Sequence, residues 1–386
     1  MSPRSILSER PFLALCLALF GPMISACTGG AAGHSPSNAT SSVGDASPGD
    51  ASGAADAGDS GTDGGDCGVP SSFKWSSTGP ILSPISDPAH DLVAIKDPSV
   101  VYYDNKWNVF VSTVDTGGNY SIAYMSFPDW SQTASASIYY LDQNPTFFGY
   151  HAAPQVFYFT PQNKWYLIYQ SGPPQYSTNT DVGNPAGWTA PASFFSTEPA
   201  VVTQNQGSGG WLDFWVICDT ANCYLFFSDD NGTFYRSQTT IDSFPNGFTN
   251  TVVVMQDAEA SQLFEASNVY LMKGTGQYLA LIEAFDATSG EHRYFRSWTA
   301  DSLDGTWTPL QDTFAAPFAA TSNITFTGLP WTADISHGEM IRAGYDETLT
   351  IDTCNLQYLY QGFDPSAPTS PYNGIPWQLA LLTKTN

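Results

Sequence analysis

Four side chains with acid–base character stand directly ahead of apolar runs: Asp97 in "VAIKDPSVVYY", Asp213 in "WLDFWVICD", Glu265 in "LFEASNVYL" and His337 in "ISHGEMIRAG". Only 12% of the chain is charged, so acids placed at the mouths of buried strands need a reason. One aspartate before a strand is ordinarily a cap or a solvated loop charge. Three carboxyls at recurring positions differ, because like charges held together raise the free energy unless their ionisation is tuned. Two carboxyls facing a sugar, one protonated and one ionised, are the minimal machinery for breaking a glycosidic bond. A third beside the acid raises its pKa and orients it. Lys96 precedes Asp97 and, on an extended strand, points to the opposite face. It cannot be assumed to pair with Asp97, yet it can reach the rim of a pocket.

The elements that must position these groups form a repeat. Its units are "DPSVVYYDNKWNVFVST" from Asp97, "APQVFYFTPQNKWYLIYQ" from Ala153, "DFWVICDTANCYLFFSDDNG" from Asp213, "EASNVYLMKGTGQYLALIEAF" from Glu265 and "SHGEMIRAGYDETLTIDTCNLQYLYQG" from Ser336. Each is a polar opening, an apolar strand, a turn, and a second strand rich in aromatics. Echoes around Trp130, Trp188, Phe248 and Trp307 read as outer edge strands. Units of about four strands and roughly 50 to 60 residues have the size of propeller blades. The expected fold is all-β, a five-bladed β-propeller filling residues 67–386, with a β-sandwich as the second choice. In a propeller the first strands line one axis, so Asp97, the Ala153–Gln155 segment, Asp213, Glu265 and His337 meet there.

Residues 1–26 read as a lipoprotein-type signal: Arg4 and Arg10, the short apolar run "PFLALCLALFGPMI", then "ISACTGG". The last resembles a lipobox in which Cys27 carries lipid; an ordinary secretory signal is the alternative. From Thr28 to Asp66 there are six aspartates and neither lysine nor arginine. That composition cannot bury enough apolar surface to fold, so 27–66 is expected to be a flexible acidic linker. The expected localisation is a cell-surface or outer-membrane lipoprotein, otherwise a secreted protein. The formal net charge of −24 argues against nucleic acid or an anionic membrane surface as partner, and leaves the membrane to the lipid alone. Cys218 and Cys223 flank "DTAN", close enough for a hairpin-closing disulfide. Cys67 and Cys354 remain as a pair joining the two ends of the domain; a zinc site lacks a CxxC or a nearby histidine.

From Cys67 to Asn386 the chain resembles glycoside hydrolase family 62, the α-L-arabinofuranosidases of arabinoxylan. The resemblance rests on "FKWSSTGPILSP", "DLVAIKDPSVVYY", "AAPQVFYF", "WYLIYQSGPPQYSTN", "DFWVICD", "LFEASNVY", "RYFRSWT" and "DISHGEMIRAGYDE". It implies a single-displacement, inverting enzyme with Asp97 as general base, Glu265 as general acid and Asp213 as modulator of the acid. Asp219 competes with Asp213 but falls at the hairpin end of its strand. Inversion implies a base–acid separation of roughly 6.5–9.5 Å. The resemblance also implies a calcium ion near the axis with His337 as its protein ligand, although calcium prefers oxygen. Tyr372 and Asn373 of "SPYNGIPW" match a segment that closes over the arabinose. Lys96, Asn268 and Arg296 are expected to line the pocket, with Trp165 as an apolar wall. His151 stands where many relatives carry arginine, at the rim of the groove for the rest of the substrate. The implied partners are arabinoxylan and its oligosaccharides, acted on by a monomer. A family 43-type arabinanase or β-xylosidase, or a silent polysaccharide-binding propeller, are the competing readings.

Overall fold

Short apolar runs punctuated by turn residues give hairpins. Leu92–Tyr103 and Lys106–Asp115 are joined by Asp104 and Asn105, at φ 51° and 59°. Two left-handed residues make the tight hairpin turn whose twist matches its strands, and Asp and Asn tolerate that conformation. The computed structural model describes residues 67–286 and 292–386. The signal segment, Cys27 and the linker through residue 66 lie outside them.

Five sheets follow one another along the chain. The first holds Leu92–Tyr103, Lys106–Asp115, Tyr120–Phe127 and Ser137–Tyr140, from inside outward. The second holds Ala152–Phe159, Lys164–Gln170, Pro174–Asn179 and Ala192–Ser193. The third holds Leu212–Cys218, Asn222–Ser228, Thr233–Thr240 and Thr249–Gln256. The fourth runs from Asn268–Met272 through Gln277–Asp286 and His292–Ala300 to Thr308–Thr313. The fifth, from inside outward, is Ser336–Met340, Gln357–Gly362, Gln378–Lys384, Trp75–Ser77 and Ile324–Phe326. This is the expected five-bladed propeller. The Trp130, Trp188, Phe248 and Trp307 motifs are not themselves edge strands. They occupy the turns leading into them, where each ring packs down and sets the entry of the outer strand.

The ring closes in two ways. Trp75–Ser77 pairs antiparallel with Gln378–Lys384, so the start of the domain supplies a strand to the last blade. Cys67 is bonded to Cys354, and Cys218 to Cys223 across its hairpin. Between blades, aromatic and branched side chains from facing sheets interdigitate, as Phe110, Val156, Leu167 and Trp188 do between the first and second. Each large side chain buried this way contributes roughly 1.5–3 kcal/mol.

Around the axis, one side chain from each inner strand reaches the backbone of the next. Ser99 Oγ accepts from Val156 N–H, Gln155 Oε1 from Val216 N–H, and Glu339 Oε2 from Val100 N–H. Tyr270 Oη accepts from Met340 N–H, and Trp215 Nε1 donates to Val269 O. These bonds satisfy buried backbone groups at the blade seams, where no ladder partner faces them. The hairpin tips at residues 104–105 and 219–222 lie at one end of the barrel, with Cys67 and Cys354. The sequence-predicted site lies at the other.

Candidate active site

At that other end each inner strand breaks its pairing. The register shifts between Lys96 and Ser99, Ala152 and Gln155, Leu212 and Trp215, and Ser336 and Gly338. Asp97, Ala153 and Asp213 sit in these bulges at φ 49°, 49° and 57°, and Ala266 takes φ 56° in the fourth blade. A bulge re-aims a side chain, and left-handed non-glycine residues of this kind gather at functional sites.

Each re-aimed residue is held from the previous blade. Gln361 accepts the Asp97 N–H at 2.7 Å, Ser112 that of Ala153 at 2.7 Å, Gln170 that of Asp213 at 3.1 Å, and Glu283 that of His337 at 2.8 Å. All four acceptors stand on second strands. The fourth blade departs from the pattern. There the Ala266 N–H is taken by Asp213 Oδ2 at 2.7 Å, while Ser228, on the corresponding second strand, is buried with Oγ unbonded among the described residues. Asp213 therefore fixes the backbone beside Glu265. Glu265 itself lies one residue ahead of the left-handed position, equivalent to Lys96 rather than to Asp97.

Asp97, Asp213, Glu265 and His337 converge as expected. His337 Nδ1 lies 3.3 Å from Asp97 Oδ1 and 3.8 Å from Asp213 Oδ2. The bulge also overturns the expected separation of Lys96 from its neighbour: Lys96 Nζ is 3.6 Å from Asp97 Oδ1 and donates to Tyr372 Oη at 2.9 Å. Burial alone would push the Asp97 carboxyl up, but Lys96 and then His337 outweigh it and hold it below its usual range. Asp213 behaves oppositely. Burial, then the charges of Glu265 and Asp97, push it well above the carboxylate range.

The Glu265 side is built differently. Arg293, buried, donates through Nη1 to both Glu265 and Glu283. Burial raises Glu283 to about 7, against the pull of Arg293. Asp230, from the turn after Asn222–Ser228, sets its carboxyl against that of Glu265.

Several expected contacts are placed elsewhere. Arg296 does not line the site; its Nε donates to Asp312 O and it faces Asp257. Positions three apart on a strand face opposite ways, and the side chain of "RYFR" that reaches the acids is Arg293. Trp165 is no pocket wall. It is 1% exposed, near the far end of its blade, against Tyr103 and Tyr345. His151 is turned inward against Phe147 and Tyr169, away from any rim. Asp219 caps its own hairpin, accepting from the Ala221 and Asn222 N–H groups. Asn268 is buried on the inner strand three residues past Glu265, its amide without a hydrogen-bond partner among the described residues. Asn373 accepts from Tyr120 at 3.1 Å, so the 372–374 turn braces against the first blade.

Arg293, Glu283, Asp230, Tyr120 and Tyr150 escape the sequence reading. Tyr120 lies under Lys96, with 5.6 Å from Nζ to the ring centre, and Tyr150 is 5.7 Å from Tyr120 ring to ring. Only the regular offset of Arg293 from Arg296 signalled any of them.

No group of three or more His, Cys, Asp or Glu side chains among the described residues is arranged to hold a metal. Calcium would find one imidazole here, whose Nδ1 is directed at Asp97 and Asp213. Its remaining ligands would have to be water.

The family model described as glycosyl hydrolase family 62 matches residues 74–383. Alpha-L-arabinofuranosidase C of Cellvibrio japonicus is 46% identical over 319 residues, which cover 82% of this chain and 48% of that protein. The chain thus spans about half the length of this curated relative. The catalytic domain of a Coprinopsis cinerea family 62 α-L-arabinofuranosidase is 56% identical, with a TM-score of 0.80 over 82% of this chain and 99% of that one. The Podospora anserina α-L-arabinofuranosidase solved with cellotriose is 47% identical, with a TM-score of 0.79 over 82% and 98%.

Proposed function

The chain belongs to glycosyl hydrolase family 62, and on that premise we propose that it is an inverting α-L-arabinofuranosidase removing arabinofuranosyl side chains from arabinoxylan. The observation that carries this reading is the unequal treatment of carboxyls in one cluster. Asp97 is held ionised by Lys96 and His337, while Asp213 is driven toward its protonated form. A base must be ionised at working pH, and carboxyls that share one site titrate apart in this way.

In the proposed reaction, Asp97 takes a proton from the attacking water as its oxygen bonds to the anomeric carbon. Glu265 gives its proton to the departing xylose oxygen as the old bond breaks. Asp213 holds the backbone at Ala266, beside the acid. Lys96 and Tyr372 line the sugar site as one hydrogen-bonded unit.

A hydrated calcium ion on His337 fits only through the ring nitrogen not facing Asp97 and Asp213. Its role would be to add positive charge beside those carboxylates. Melting temperature with calcium against a chelator tests this; an unchanged value removes the ion. We further propose that the enzyme is exported as a monomer, carrying lipid on Cys27 as its sole membrane attachment. Labelling with a radioactive fatty acid, lost in Cys27→Ser, tests the anchor.

Proton NMR of arabinoxylan digestion tests the main reading. The expected first product is β-arabinofuranose. Release of the α anomer overturns inversion, and release from linear arabinan but not arabinoxylan overturns the substrate.

A further inference from the structure

The pairing of Glu265 with Arg293 conflicts with the role of a general acid. A guanidinium beside a carboxyl favours its ionised form, whereas an acid must hold a proton at working pH. The turn at Asp229–Thr233 carries a side chain that resolves the conflict.

The two aspartates of "SDDNG" do different work. Asp229 builds the turn, accepting from the Asn231 and Thr233 N–H groups and from Tyr235 Oη at 2.8, 3.1 and 2.6 Å. Asp230 takes no part in it. Its backbone is left-handed at φ 56°, its carboxyl meets that of Glu265, and its Oδ1 is buried without a hydrogen-bond partner among the described residues. Two carboxyls can hydrogen-bond only if one carries a proton.

We propose that Asp230 is a positioning residue for the general acid: its carboxyl shares one proton with Glu265 and keeps that proton within the pair until the leaving oxygen takes it. The inference rests on Glu265 being that acid. When the glycosidic bond breaks, the Glu265 proton passes to the leaving oxygen. Both carboxyls are then ionised beside Arg293, and the pair regains its one proton from water before the next turnover. The surroundings favour a proton there. Burial, then Glu265 and Asp213, push Asp230 well above the carboxylate range, opposed by Arg293. Glu283, Lys96, Tyr120 and Tyr372 also face Glu265.

Asp230→Asn and Asp230→Ala separate this role from a structural one. Both are to be assayed across pH on arabinoxylan and on 4-nitrophenyl α-L-arabinofuranoside, whose phenolate departs with little help from an acid. On arabinoxylan kcat/KM is expected to fall about 10- to 100-fold, with the alkaline limb moving to lower pH because the neutral side chain puts no negative charge beside the acid. On the nitrophenyl substrate the loss is expected to stay within about threefold. Equal losses on both substrates, or an unmoved alkaline limb, overturn the proposal. Asp230→Asn preserves shape, so it keeps the test if the alanine variant fails to fold. Wild-type enzyme that releases no arabinose from either substrate overturns the reading of Glu265 first, and this inference with it.

Discussion

The two flanks of the site start from inner strands of similar build and surround their carboxyls with different numbers of cations. On the first-blade flank Asp97 meets Lys96 and His337, two nitrogen groups against one carboxyl. On the fourth-blade flank Glu265, Glu283 and Asp230 share Arg293. The bulge geometry is common to both, so the backbone does not decide which carboxyl is base and which is acid. What differs between the two is the number of cations within reach of each carboxyl.

That comparison can be broken from either side. The largest effect is expected for Asp97→Asn, about 10³-fold or more in kcat on both arabinoxylan and the nitrophenyl glycoside, because water activation is needed whatever leaves. Glu265→Gln should lose about 10³-fold on arabinoxylan but far less on the nitrophenyl glycoside. If the two variants show the same leaving-group dependence, the assignment of roles is wrong.

Arg293→Met tests the acidic flank through stability. Removing the shared cation leaves buried carboxyls unpaired, at a cost of about 3–5 kcal/mol by urea denaturation at neutral pH. Glu283 is already raised to about 7 in the folded state, above its unfolded value, so folding takes up protons there. The loss should accordingly grow as pH rises through 7 and shrink toward acid pH. Lys96→Met tests the other flank. Without that charge the Asp97 carboxyl rises, and the acid limb of kcat/KM should move up by about one pH unit. Arg296→Lys should be smallest, within about twofold in kcat/KM, since its partners lie outside the cluster. A large loss there would return Arg296 to the site.

The blades were legible because each is a local pattern: an apolar run, a turn, a second apolar run. Asp97, Asp213 and Glu265 were legible because they open such runs. The offset of Glu265 by one residue was not, since a bulge is a conformation rather than a pattern. The same bulge swings Lys96 onto Asp97, against the alternation of a flat strand. Arg293 and Arg296 share one strand and one residue type, and only the register against Gln277–Asp286 says which faces the acids. Asp230 hides in "SDDNG", which reads as turn chemistry and, at Asp229, is. Trp165 had the right composition for a sugar platform and the wrong end of the barrel.

The Cys67–Cys354 bond settles a matter of orientation. The chain leading into Cys67 is pinned at the hairpin end, so a pull on that lead is borne by the disulfide and by the strand Trp75–Ser77 beside Gln378–Lys384. The acids stand at the opposite pole. A pull borne there leaves the strand starts that carry the acids unloaded.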